Sequence, residues 1–212
     1  MNARVMSPQD HARITAAVQA AEARTSGEIY CVVARASGRY FFASAFVVTL
    51  AIMVVSLPVV WLLDRWWYQL SPLTLSIAQL VAIACALVIL AAFPALRIHF
   101  VPPRQRFRQA HDNAMRQFLG RNIHVTTART GVLLFVSLAE HYAEVVADAG
   151  INQKVSQETW NVVVAGLVAH ARRGEVADGF VEAIATVAAL LAEHFPLGSG
   201  DVNELDDHVV EL

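Results

Sequence analysis

The sequence is poor in charge. Asp, Glu, Lys and Arg make up 16% of its 212 residues, against about 25% in an ordinary soluble domain. Lysine is nearly missing, with Lys154 the only one among 16 basic residues. A formal net charge of -2 leaves no strongly basic face, and phosphate binding needs one, so nucleic acid is disfavoured as a partner. Cysteine is scarce as well: Cys31 and Cys85 form no CxxC and no Cys/His spacing suited to zinc. With Cys31 in an expected strand and Cys85 deep in an apolar run, their Cα atoms do not reach the roughly 4.4 to 6.8 Å of a disulfide. Both read as small buried apolar residues.

What the chain has instead is apolar sequence, 56% of it, gathered into two runs. Phe41 to Leu63, FFASAFVVTLAIMVVSLPVVWLL, carries no charge and as a helix measures about 34 Å, enough to cross a roughly 30 Å hydrocarbon layer. Leu73 to Leu96 is again uncharged, with Gln79 its one strongly polar residue. Pro58 and Pro94 lie towards the ends of their runs, where proline disturbs few intrahelical bonds. Between the runs, Trp66, Trp67 and Tyr68, with Trp61 nearby, are amphipathic rings of the kind that settle at headgroup level. A buried soluble hairpin is the alternative, but it needs no uncharged runs of more than about twenty residues.

Arginine counting orients the pair. The connecting turn holds Arg65 alone, beside Asp64, whereas Arg24, Arg35 and Arg39 lie upstream and Arg97, Arg104, Arg106, Arg108 and Arg116 downstream. The positive-inside rule then places both termini in the cytoplasm. The start, MNARVMSPQDHARIT, lacks the apolar stretch of a cleavable signal peptide, so the first span serves as an uncleaved anchor.

The flanks read as one soluble domain divided in sequence. Ser7-Pro8 opens an alanine-rich helix running to about Arg24, with Ser as N-cap and Pro in the first turn, and Gly27 ends it. Glu28 to Ala34, EIYCVVA, is β-branched, aromatic and apolar on both faces, which predicts a strand covered on each side by helices. After the spans, Pro103 to Leu119 predicts an amphipathic helix with Phe107, His111, Ala114 and Phe118 at helical spacing. Gly131 to Leu138 and Tyr142 to Ala147 predict an antiparallel hairpin joined by Ala139-Glu140-His141. Helices follow over Ser156 to Arg173 and about Val176 to Phe195, the second with Phe180, Ile184, Val187 and Leu191 on one stripe. Two crossings return the chain to its starting side, so EIYCVVA can pair with GVLLFVSL in one sheet.

The run RTGVLLFVSLAEHYAEVVADAGI, a tryptophan-bearing helix, and RRGEVADGFVEAIATVAALLAEHFP occur in the order found in the TPM domain family, which this chain resembles. The TGVLLFVS strand, the Asp148-Ala149-Gly150 turn, and Gly174 with Asp178-Gly179 carry the likeness, loosely over residues 1–38 and well over 103–196. It implies an α/β fold, a sandwich with a mixed sheet between helices, here interrupted by a two-helix transmembrane hairpin at 41–96 and followed by an acidic tail at 197–212. The family includes thylakoid lumen and photosystem-repair proteins and bacterial membrane proteins. It has been linked to acid phosphatase activity, divalent cation binding, and assembly or repair of membrane complexes. With the two uncharged runs and the arginine count, the chain is expected to be a multi-pass protein of a bacterial inner membrane, both termini cytoplasmic. Its expected partners are the lipid bilayer and another membrane protein.

Candidate chemistry is thin. Asp148 and Asp178 are the candidate metal ligands, for Ca²⁺ or Mg²⁺, if their loops meet in space. A capping aspartate and a turn-forming aspartate are the competing structural roles. Glu182 shares a helical face with Asp178 and reads as solvated surface. No catalytic residue is assigned: there is no Cys-x5-Arg loop, Asp148 lacks the second aspartate of a DxD motif, and His111, His124, His141, His170 and His194 are scattered. The expected role is an interaction module in membrane-protein assembly or maintenance, with a metal-dependent phosphatase as the alternative. Arg97, Arg104, Arg106 and Arg108 read as topology determinants near anionic lipid, and Asp201 to Leu212 as a solvated acidic tail.

Overall fold

The computed structural model describes residues 6–66, 71–126, 129–197 and 207–212. Trp67, Tyr68 and most of the acidic tail therefore lie outside the described residues, as does the N-terminal MNARV. The chain before Gly38 and after Arg106 makes one compact unit, and Gly38–Arg106 a second.

In the first unit α1 spans Pro8–Glu22 and begins with a reciprocal cap. The Ser7 hydroxyl accepts from the Asp10 amide and the Asp10 carboxylate accepts from the Ser7 amide, each at 3.1 Å. Strand β1 is Glu28–Ala34, buried throughout as its two-sided apolar pattern predicts. Helices α2 (Phe41–Arg65), α3 (Pro72–Ala92) and α4 (Pro94–Arg97) make up most of the second unit. Then follow α5 (Pro103–Gly120), β2 (Gly131–Ser137), β3 (Tyr142–Ala147), α6 (Ala149–Asn152), α7 (Gln157–Arg173), α8 (Val176–His194) and β4 (Val210–Glu211).

The sheet is mixed, in the order β3-β2-β1-β4. β1 and β2 run parallel with Cys31 opposite Leu134, and β2 and β3 form the expected antiparallel hairpin with Phe135 opposite Glu144. The two halves of the sequence thus meet in one sheet. Alternate residues of β1 point to opposite cores. Ile29, Cys31 and Val33 join Val18 of α1, Trp160 and Leu167 of α7 and Phe180, Ile184, Val187 and Leu191 of α8. Tyr30, Val32 and Ala34 join Ala114 and Phe118 of α5. A sheet with helices on both faces is the sandwich expected.

Two expectations need correction. Helix α5 buries Ala110, Ala114 and Phe118, whereas Phe107 is 47% exposed and His111 sits at the surface, bonded to Glu144 at 2.9 Å. The Phe107 ring meets Tyr142 of the edge strand β3, its centroid 5.8 Å away and its plane tilted by 33°. The end of the tail is also not a solvated coil. Val210–Glu211 pairs in parallel with Val32 and Val33, and the Leu212 amide donates to the Val33 carbonyl at 2.9 Å. An exposed outer edge on β1 would leave buried backbone groups unpaired, and Val210–Glu211 covers part of it.

In the second unit α2 and α3 pack against each other and leave large apolar side chains outward, among them Phe42 at 82%, Leu57 at 70% and Leu73 at 70% exposure. Both are long and apolar enough to cross a membrane. Pro58 lies inside α2 without breaking it. Pro94 stops α3, and Arg97 takes over the loose end: its Nε donates to the Leu90 carbonyl at 2.8 Å and its Nη2 to that of Ala91 at 3.0 Å.

Candidate functional site

Asp148 and Asp178 occupy different settings. Asp148 follows β3 as N-cap of α6. It is 7% exposed, one carboxylate oxygen accepts from the Ala149 amide at 2.6 Å, and the other is buried without a partner. Asp178, in the first turn of α8, is half-exposed and ion-paired with Arg13 of α1. Glu182 accepts from or pairs with His170 Nε2 at 2.9 Å at the surface, and Glu175 lies 3.2 Å from the other ring nitrogen. Among the described residues no group of three or more His, Cys, Asp or Glu side chains is arranged to hold a metal ion. Asp148 caps α6 and Asp178 pairs with Arg13.

A carboxylate site that spacing did not reveal lies beside the outer edge of β1. Glu22 at the end of α1, Glu28 at the start of β1, and Asp207 ahead of β4 line a pocket of about 370 Å³ with Gln19, Thr25 and Leu197. Burial, against which the Ile29 amide donating to Glu22 works, and the neighbouring Glu28 and Asp207 carboxylates push Glu22 up to about 8. Near neutral pH Glu22 therefore keeps its proton beside two other acids. The first two are six positions apart across a helix-to-strand break, and the third comes from the far terminus, so only the tertiary fold assembles them.

A second polar cluster closes the carboxyl ends of the parallel strands β1 and β2, where α/β sheets commonly place ligands. Ser37 Oγ and Ser137 Oγ are 2.7 Å apart, and the buried Ser137 hydroxyl donates to Glu140 Oε2 at 2.5 Å. Glu140 Oε1 accepts from the Ser37 amide at 2.9 Å, and Asn113 donates to Ser37 Oγ at 3.3 Å. Both carboxylate oxygens are thus engaged with the fold, and the cluster ties the end of β1 to the link between β2 and β3.

Residues 95–190 match the family model described as the TPM domain. The chain carries a TPM domain. The match leaves out α1 and β1, yet β1 pairs with β2, so the sheet that the matched residues build takes a strand from ahead of the hairpin. A solved structure, the NMR structure of the BA42 protein from the psychrophilic bacterium Bizionia argentinensis, superposes with a TM-score of 0.61 at 18% identity. The alignment covers 100% of this chain and 98% of that one, a likeness of fold. None of the curated proteins matches significantly.

Proposed function

We propose that the chain is a membrane protein in which α2 and α3 cross the bilayer and hold the TPM domain against the cytoplasmic face, as an interaction module in the assembly or maintenance of other membrane proteins. The observation that carries this is the hairpin. At 1.5 Å per residue α2 and α3 measure about 37 and 31 Å, they match the hydrocarbon layer, and their apolar side chains point outward. In water such a surface would be a severe liability. The pairing of β1 with β2 supports an even number of crossings, because one sheet cannot have strands on both sides of a bilayer. The binding role is favoured over catalysis because both Glu140 carboxylate oxygens are engaged with the fold and Asp148 caps α6.

Alkaline carbonate extraction of native membranes tests the anchor: the chain is expected in the pellet, and its release into the supernatant would overturn the reading. Quantitative mass spectrometry after cross-linking in intact membranes then tests the role, with co-recovered membrane proteins as the expected result. Aryl phosphate turnover by the detergent-purified chain, lost on chelation, would replace it with a metal-dependent phosphatase.

A further inference from the structure

Helices α2 and α3 together hold one side-chain amide, Gln79, in the first half of α3. Three serines of the hairpin keep their hydroxyls on their own helices. Ser44 donates to the Tyr40 carbonyl at 2.8 Å, Ser56 to that of Met53 at 2.7 Å, and Ser76 to that of Pro72 at 2.9 Å. Gln79 is different: its carboxamide has no hydrogen-bond partner among the described residues. In hydrocarbon, where no water competes, an unpaired amide is costly and its partner has to come from protein.

Gln79 lines a groove of about 600 Å³ between α2 and α3, walled in part by Val55, Ser56, Leu75, Ala78 and Ala82. The occupant of this groove has to be apolar along most of its length. It has to fit against small residues, since Ala78, Ala82 and Ser56 flank the amide. It also has to present both a donor and an acceptor at the depth of Gln79. An acyl chain meets the first two demands and fails the third. A second copy meets all three, because a carboxamide carries two N–H donors and a carbonyl acceptor and is self-complementary about a two-fold axis. Small residues beside a polar one are also the usual composition of helix contacts within membranes.

We propose that the chain pairs with a second copy of itself through this groove, with Gln79 of each copy hydrogen-bonded to Gln79 of the other across the seam. The inference rests on the membrane reading of the hairpin given above.

The test uses the full chain, tagged after Leu212 with donor or acceptor fluorophores and reconstituted into phosphatidylcholine vesicles at graded protein-to-lipid ratios. Energy transfer above that of random proximity is expected, and excess unlabelled chain should compete it away. Gln79→Leu keeps the helix and its apolar packing, and should weaken association about 3- to 30-fold, the range for interhelical hydrogen bonds in membranes. Gln79→Asn keeps the amide and should recover much of the loss. Wild-type chain that stays in the vesicles through an alkaline wash but shows only random-proximity transfer overturns the pairing and leaves the membrane reading standing, with lipid as the occupant. Wild-type chain that washes out overturns both. Transfer that Gln79→Leu leaves undiminished overturns the seam assigned to Gln79.

Discussion

Glu22 shows how much a residue's chemistry depends on where the fold puts its neighbours. In the unfolded chain its carboxyl loses its proton near 4.5, and in the folded chain burial and the adjacent Glu28 and Asp207 carboxylates hold it to about 8. Between those values the folded state binds the extra proton, so stability falls as pH rises through the window and levels off above it. Glu22→Gln keeps an oxygen for the Ile29 amide and removes the titration. The melting temperature of the wild type is expected to fall from pH 5 to 8, and that of the variant to stay flatter; equal slopes would detach the effect from Glu22. Asp148 makes a second case at this scale. As the cap of α6 it should tolerate Asn, while Asp148→Ala should cost about 0.5 to 2 kcal/mol in urea unfolding. With Asp178 held by Arg13, Ca²⁺ and Mg²⁺ are expected to leave the melting temperature unchanged. A cation-dependent rise that Asp148→Asn or Asp178→Asn removes would make both aspartates ligands.

At the scale of elements, two glycines mark where backbones approach most closely. A Cβ on Gly131, at the start of β2, would run into the Ile123 carbonyl, which belongs to the backbone and cannot rotate away. A Cβ on Gly179 would lie 2.7 Å from His170 Cβ where α7 and α8 cross, a side-chain clash partly offset by the roughly 1 kcal/mol that Ala gains over Gly in a helix. Both Ala variants should unfold at lower urea, and Gly131→Ala should lose more, at the upper end of the roughly 1 to 3 kcal/mol typical of overpacking, or beyond it. Elements whose pattern is local were legible in the sequence: β1 from its continuous β-branched run, α8 from its stripe, α1 from Ser7-Pro8. Where a residue's fate depends on the extent of its cover, the pattern misled. Phe107 has the spacing of a core residue in α5 but meets the edge of the sheet. The tail misleads for a related reason: its five acids suggest solvent, and Val210 and Glu211, which complete the sheet, carry no local sign of their distant partner. The acidic pocket was illegible on the same grounds, since Glu22, Glu28 and Asp207 come together only once β4 has docked on β1. Removing residues 209–212 is expected to lower the melting temperature and to speed amide exchange at Arg35, which loses the Leu212 carbonyl as acceptor.

At the scale of the whole molecule, the place of the hairpin between β1 and β2 constrains how the chain can lie across a membrane. β1 precedes α2 and β2 follows α3, and their seven-residue parallel register requires both ends of the hairpin to open on the same side. On the membrane reading proposed above, the positive-inside rule gives the side: Arg65 alone marks the turn, while Arg24, Arg35, Arg39, Arg97, Arg104, Arg106, Arg108 and Arg116 flank the hairpin in sequence. Arg97 holds the open end of α3 by donating to the Leu90 and Ala91 carbonyls, so a cation is built into the helix terminus that the rule places in the cytoplasm. A fluorescent reporter that matures only in the cytoplasm should therefore light after Leu212 and stay dark at Gln69, a position in the turn outside the described residues, and an enzyme reporter active only after export should do the reverse. Signals of the opposite pattern at both sites would turn the protein over and place the TPM domain outside. A reporter fused ahead of Met1 should match the one after Leu212; opposite signals from these two termini would mean a single crossing and overturn the shared sheet of β1 and β2.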